Sequence, residues 1–237
     1  MKINKHCKIC NSDVPETFCG NCGQKIGVKK ITVWRLIQDV ISGLFSLESS
    51  VFGTYGALLV NPKTVVESYV QGNRRFYKSP GQILFYFTFI LGIQLSFISP
   101  NVIGLVFSLE SNALPPELIF IIIFLPYIAF ASYLVFLRNR KGMLTHFISM
   151  VYLFSMWGSI FIVIDNILIY GLDINLETIL FLIFVLVLFW FTSVVFTKNK
   201  RKSRVFINAL ILTITTIAIS ISLLFILDFF QPDSIRL

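Results

Sequence analysis

Five apolar stretches, each about as long as a lipid bilayer is thick, constrain this chain more than anything else in it. They lie at 81–99, 117–137, 143–170, 176–197 and 205–227, and a helix that crosses the hydrocarbon layer needs about 20 mainly apolar residues. The third is long enough to tilt, or to end near Asp165. Composition points to the same solvent. Hydrophobic residues make up 56% of the 237 and charged residues 14%, whereas soluble domains average about 25% charged. The mean hydropathy is +0.81. A water-soluble fold of this size has no core large enough to hide that surface, so the expectation is an all-α integral membrane protein.

The loops set its orientation. Residues 100–116 and 171–175 hold no Lys or Arg. Residues 138–142 carry Arg138, Arg140 and Lys141, and residues 198–204 carry Lys198, Lys200, Arg201, Lys202 and Arg204. Basic and neutral loops alternate strictly, so the positive-inside rule puts the N-terminal part in the cytoplasm and the C-terminus outside a cytoplasmic (inner) membrane. Residues 1–80 contain 11 basic and 5 acidic side chains, against 9 and 7 in residues 81–237. Most of the net charge therefore precedes the first span, where it can meet anionic lipid or nucleic acid. The first thirty residues hold no apolar core of the kind a secretory signal carries, so insertion is expected to be driven by the later spans.

All four cysteines lie in residues 1–30, as Cys7-x2-Cys10 and Cys19-x2-Cys22 separated by eight residues. Two such knuckles can close a tetrahedral Zn²⁺ site with four thiolates. Asn11 and Gly23 follow the two pairs and tolerate the positive φ of a chain turning back under the sulfurs. The alternatives are two disulfides or four thiols without metal; disulfides need an oxidising compartment, against the cytoplasmic placement. His6 is the alternative to Cys7 as a ligand. A four-thiolate site is closed and hence structural, and metal binding would supply the folding energy that thirty residues lack. Six lysines make nucleic acid a conceivable partner, but no arginine or aromatic stacking set accompanies them. A protein partner, or support for the juxtamembrane region, is the preferred role.

Residues 31–80 form the expected collar. Over 31–47, Val33, Trp34, Ile37, Val40, Ile41, Leu44 and Phe45 recur at helical steps, which predicts an amphipathic helix either lying in the interface or packed on the bundle. A second apolar run spans 51–60. Pro62 then opens a helix expected to run to about Val70 and to end at Gly72. Arg74, Arg75, Phe76, Tyr77 and Lys78 have the basic and aromatic character of a headgroup layer. Arg74, Arg75 and Lys78 are a candidate phosphate or lipid-headgroup set, weighed against a plain topology anchor.

Inside the spans ionisable groups are few, and each is a candidate by default. Asp165 and Asn166 form a candidate intramembrane polar site, with Asp165 expected at the outer interface in contact with water. His146, near the cytoplasmic start of the third span, is expected to be wetted. Gln94, Ser155, Ser159, Asn208 and the Thr213/Thr215/Thr216 group are expected to hydrogen-bond between helices. Pro126 predicts a kink. The chain carries no H-E-x-x-H, G-x-S-x-G or Walker loop, and no catalytic residue is assigned.

The order of Phe18-Cys19-x2-Cys22-Gly23-Gln24, Thr54, Leu58-Leu59, Asn61-Pro62 and then Tyr69, Gly72, Arg74 or Arg75, Tyr77 and Pro80 resembles an uncharacterised bacterial membrane family, domain of unknown function 3667. The resemblance covers about the first ninety residues and implies no activity. A cytoplasmic head before five spans is also similar, in topology alone, to Yip-type trafficking proteins. The expected architecture is a zinc knuckle (1–30), an amphipathic collar (31–80) and a five-helix membrane domain (81–237). The preferred function is a non-enzymatic interaction or lipid-surface module. The alternatives are a small transporter or channel subunit using spans three to five and, more remotely, a lipid-modifying enzyme pairing Arg74, Arg75 and Lys78 with Glu67.

Overall fold

The computed structural model describes residues 5–7, 10, 12–14, 19–21, 50–72, 76–99, 101–102, 105–106, 116–198 and 201–229. Cys22, the helix expected at 31–47, Arg74 and Arg75 lie outside them. The chain divides into two compact units, Met1–Gln82 and Ile83–Leu237.

In the first unit, β1 (Lys5–His6) pairs antiparallel with β2 (Asp13–Val14), Lys5 opposite Val14 and His6 opposite Asp13. Further on come α1 (Ser50–Val60) and α2 (Pro62–Val70). Pro62 sits in the first turn of α2, where its missing N–H costs nothing. The helix buries Pro62, Val65, Val66 and Tyr69, the three- and four-residue spacing of one amphipathic face. It ends where expected: Gly72 has φ 92, a left-handed conformation that a β-carbon would strain. The connection to the next helix is fixed by two local devices. Thr54 Oγ1 accepts the Lys78 backbone N–H at 3.0 Å. Ser79 N–H donates to Gln82 Oε1 at 3.0 Å while Gln82 N–H donates to Ser79 Oγ at 3.2 Å. This reciprocal capping box, with Pro80 just inside it, starts α3 (Pro80–Ile93).

In the second unit, α3 continues as a π-helical turn (Gln94–Ile98), followed by the short pair β3 (Asn101–Val102) and β4 (Leu105–Val106). Then come α4 (Pro116–Val135), α5 (Met143–Asn166, continued by a π turn Ile167–Gly171), α6 (Glu177–Phe196) and α7 (Lys202–Phe229). Each of α4 to α7 packs on the next, and α7 returns to α4, so consecutive antiparallel helices close a four-helix ring. Helix α3 lies along α5 and parallel to it: Phe87 meets Phe154 edge-on at 5.3 Å, and Gln94 meets Asn166 further along. Gly158 makes the approach of α3 to α5 feasible, because a β-carbon there would sit 2.6 Å from the Phe87 ring.

Four helices among the described residues are long and apolar enough to cross a membrane: Pro80–Ile98, Met143–Gly171, Glu177–Phe196 and Lys202–Leu223. The remaining expected stretch is also helical, as α4, which runs through Pro126 and contributes the apolar segment Ile121–Val135. Helix α5 is the buried centre. Helix α7 is the opposite, with Phe206, Ile207, Leu210, Ile214, Ile217 and Ile221 exposed along it. So much outward apolar surface is compatible with a wall facing lipid.

Hydroxyls within the spans mostly satisfy themselves. Ser159, Thr192, Thr213 and Thr216 each donate to the carbonyl four residues earlier in their own helix. For Thr213 and Thr216 this corrects the expected cross-helix bonding of the hydroxyl: in an apolar surrounding the nearest acceptor is the preceding turn. The cross-helix bonds fall elsewhere, as Tyr127 of α4 to the Thr216 carbonyl at 2.6 Å and to Ser220 of α7, and as Gln94 to Asn166.

Candidate functional site

Three places concentrate polar chemistry: the head, and the two ends of the helical ring. In the head, β1 pairs with β2, and Cys7 N–H donates to the Ser12 carbonyl at 2.9 Å. Cys7, Cys10 and Cys19 are gathered with their sulfurs all within 4.8 Å of one another. Cys7 and Cys19 are buried and Cys10 partly so, and none of the three is joined in a disulfide. The Cys10 and Cys19 sulfurs are 3.4 Å apart. Tetrahedral Zn²⁺ at its usual thiolate distance requires sulfurs separated by about 3.8 Å, so the trio fits that ion with little adjustment. Ser12, which spacing alone did not single out, places its Oγ 2.9 Å from Cys10 Sγ and 3.1 Å from Cys19 Sγ. With a metal bound the sulfurs would be thiolates, and the single proton of this hydroxyl would then stabilise the charge of one of them at a time.

At one end of the ring the loop after α4 meets the loop after α6. A 3₁₀ turn (Leu137–Asn139) and a left-handed Arg140, φ 52, reverse the chain into α5. Asn139 Nδ2 donates to the Phe196 carbonyl, one of the acceptors left open at the C-terminus of α6. Asn208 Nδ2 of α7 donates to Thr197 Oγ1 at 2.8 Å. Between these stitches lies a cleft of about 370 Å³. Arg138, Lys198 and Arg204 supply its charge, and Val135, Phe136, Phe196 and Ile207 its apolar wall. Arg138, Lys198 and Arg204 are exposed and form no ion pair with any described residue. The sequence gives the reason: no Asp or Glu occurs in 118–164 or in 178–227.

Behind Phe136 and Phe196 lies His146, 0% exposed. Its ring stacks on Phe196 at 3.9 Å and 10° and meets Tyr133 edge-on at 5.7 Å. A 2.9 Å hydrogen bond joins its Nδ1 to Ser132 Oγ. The expectation of a wetted His146 is therefore corrected. Lying in the first turn of α5 does not expose it, because the ends of α4 and α6 close over that turn.

The opposite end carries the acidic groups, with Asp165, Asp173 and Glu177 among the described residues there. Asp165 is 3% exposed, which corrects its expected solvated position. Asn166 Nδ2 donates to Gln94 Oε1 at 2.7 Å and to the Ile162 carbonyl at 3.0 Å. The structure thus adds Gln94 to the Asp165–Asn166 pair. π-Helical turns, which often accompany functional sites, begin at Gln94 and just after Asn166.

Of the expected headgroup set, Lys78 is described and is 6% exposed. Arg74 and Arg75, the other two of that set, lie outside the described residues. Of the polar side chains noted in the spans, Asn166 sits at one end with Gln94, Asn208 at the other with Thr197, and Ser159 donates within α5. Trp157 is a packing residue, edge-on to Phe191 at 4.9 Å and to Phe161 at 6.1 Å.

Comparison with known proteins finds no matching protein-family model, no matching curated protein and no matching solved structure. Geometry and chemistry therefore carry the functional reading.

Proposed function

We propose that this chain is a non-enzymatic, five-span protein of a cytoplasmic membrane, whose cytoplasmic face is an interaction module for anionic lipid. The fifth span in this reading is α4. The head, closed on Zn²⁺ by Cys7, Cys10, Cys19 and Cys22, is cytoplasmic in this reading and offers a surface for a protein partner. One observation carries the proposal: at one end of the helical ring all charged side chains are basic, and at the other all described ones are acidic. A cationic end on an anionic leaflet gains about 1 kcal/mol per basic residue near the surface, and positive loops are retained on the cytoplasmic side during insertion. The resemblance of the collar to domain of unknown function 3667 is part of the same proposal. Its support is that Thr54, Leu58 and Tyr69 are buried, Gly72 caps α2 and Pro80 opens α3.

The test is the thermal stability of the full chain in nanodiscs of phosphatidylcholine with increasing phosphatidylglycerol. The expected outcome is a melting temperature that rises with the anionic fraction and loses the gain in high salt. Equal melting temperatures at all compositions would overturn the proposal.

A further inference from the structure

The proposed lipid-facing role requires only a cationic surface, but the structure contains something more specific. The cleft between the α4–α5 and α6–α7 loops has a volume of about 370 Å³, within the range of sites that hold small ligands. We propose that it binds one phosphate group, supplied by the headgroup of an anionic phospholipid, and that Arg138 and Arg204 hold that phosphate with Lys198 beside them. This rests on the lipid-surface reading above and sharpens it to a single site.

Four features of the cleft converge on this ligand. Its charged groups are all cationic and have no acidic partner among the described residues, so an anion is the missing counterpart. Two of the three are guanidinium groups, whose planar forks match phosphate oxygens in pairs, whereas an ammonium offers a point charge. Its floor is apolar: Phe196 packs against both His146 and Phe136, at ring distances of 3.9 Å and 5.5 Å, and those two rings also meet at 6.5 Å. Finally, it opens beside lipid-facing side chains, since Ile207 lines it and Leu137 and Phe206 next to it are exposed. A soluble phosphate has no use for that apolar margin; a diacyl lipid places its glycerol and first methylenes there.

The polar lining narrows the headgroup. Asn139 gives one amide N–H to the Phe196 carbonyl and keeps a second N–H and its carbonyl oxygen, so it brings both a donor and an acceptor to the cleft lining. An acceptor next to a phosphate site favours a headgroup that carries a hydroxyl.

The test uses the full chain in detergent, with lipid binding counted by native mass spectrometry during titration with phosphatidylglycerol, phosphatidylcholine or inorganic phosphate. Three double variants are compared: Arg138→Ala/Arg204→Ala in the cleft, Arg138→Lys/Arg204→Lys keeping the charge, and Arg140→Ala/Lys202→Ala, which removes equal charge from the same loops outside the cleft. All four positions are exposed, and circular dichroism checks that each variant keeps its helices. The expected result is one tight phosphatidylglycerol per chain, weakened about tenfold or more by the cleft alanines, the loss of two charge-assisted contacts. The lysine pair should fall between, and the control pair should shift by less than about threefold. Equal weakening by the cleft and control alanines, or none by either, would overturn the site while leaving the lipid-surface reading intact. Cleft-dependent binding of inorganic phosphate without phosphatidylglycerol would keep the anion site and overturn the lipid as its source. Flat melting temperatures in the nanodisc series, with cleft-dependent lipid binding retained, would instead count against the broader reading alone.

Discussion

The two ends of the helical ring solve opposite problems with the same kind of chain. At the basic end, eight Lys and Arg residues occupy two loops with no acidic neighbour in sequence, and the structure leaves an open cleft among them. At the other end Asp173 stays exposed, while Gln94 and Asp165 are buried and Asn166 is bonded to Gln94. An open cationic cleft is suited to a ligand arriving from outside. A buried amide pair is suited to fixing how two helices meet, since in lipid each polar group needs a partner inside the protein. In the proposed reading the first end serves recognition and the second packing.

The largest effect that can sharpen this division lies outside both ends, in the head. Cys19→Ser should abolish a stoichiometric zinc signal in elemental analysis of the purified chain and expose the head to proteolysis, because structural Zn²⁺ contributes about 10 kcal/mol to folding such small modules. Lipid binding at the cleft should be unchanged. If it falls in parallel, head and cleft are one functional unit.

The contact of α3 with α5 comes next. Gly158→Val should destabilise the chain by about 1–3 kcal/mol, because the Phe87 ring must leave its place against Phe154. Thermal unfolding in detergent measures this, and adding Phe87→Ala should recover part of the loss. Ser132→Ala should cost about 1–2 kcal/mol by removing the hydrogen-bond partner of His146 Nδ1. Its further signature is weaker lipid binding at the cleft, since His146 supports Phe196. Smallest is the coupling at the acidic end. A double-mutant cycle of Gln94→Leu and Asn166→Leu should give about 0.6 kcal/mol, the scale of hydrogen bonds between membrane helices. Lipid binding should not change in that cycle; if it does, the separation of the two ends fails.

How much of this was legible in the sequence follows from the length scale of each signal. The apolar stretches are signals of twenty residues that need no tertiary information, and all five coincide with helices within a few residues at each end. Pro62, Gly72 and Pro80 marked real helix ends because capping is local. The Ser79–Gln82 capping box was equally local and visible as Ser-x-x-Gln, but went unread beside the basic residues before it. Cysteine spacing indicated the thiol cluster, whereas Ser12 became visible only when the turn brought its hydroxyl between two sulfurs.

His146 and Asp165 were misjudged for one shared reason. Hydropathy gives a residue's depth along its helix but not how many helices surround it, and α5 is covered by α3, α4 and α6. The cleft was illegible for a different reason. It joins Arg138 and Asn139 to residues 57 or more positions away, and the sequence shows those loops only as topology signals. One clue was available: a run of 47 residues and another of 50 without a single acid, each containing a basic loop.

The central claim is that the cationic end faces the cytoplasm. The direct measurement inserts a short epitope into the intact chain after Arg140, or after Asp173, and reads antibody access in intact and permeabilised cells. The account predicts that the Asp173 epitope is reached from outside once the outer layers are opened, while the Arg140 epitope is reached only after the cytoplasmic membrane is breached. The reverse pattern would put Arg138, Lys198 and Arg204 on the outer face and contradict it.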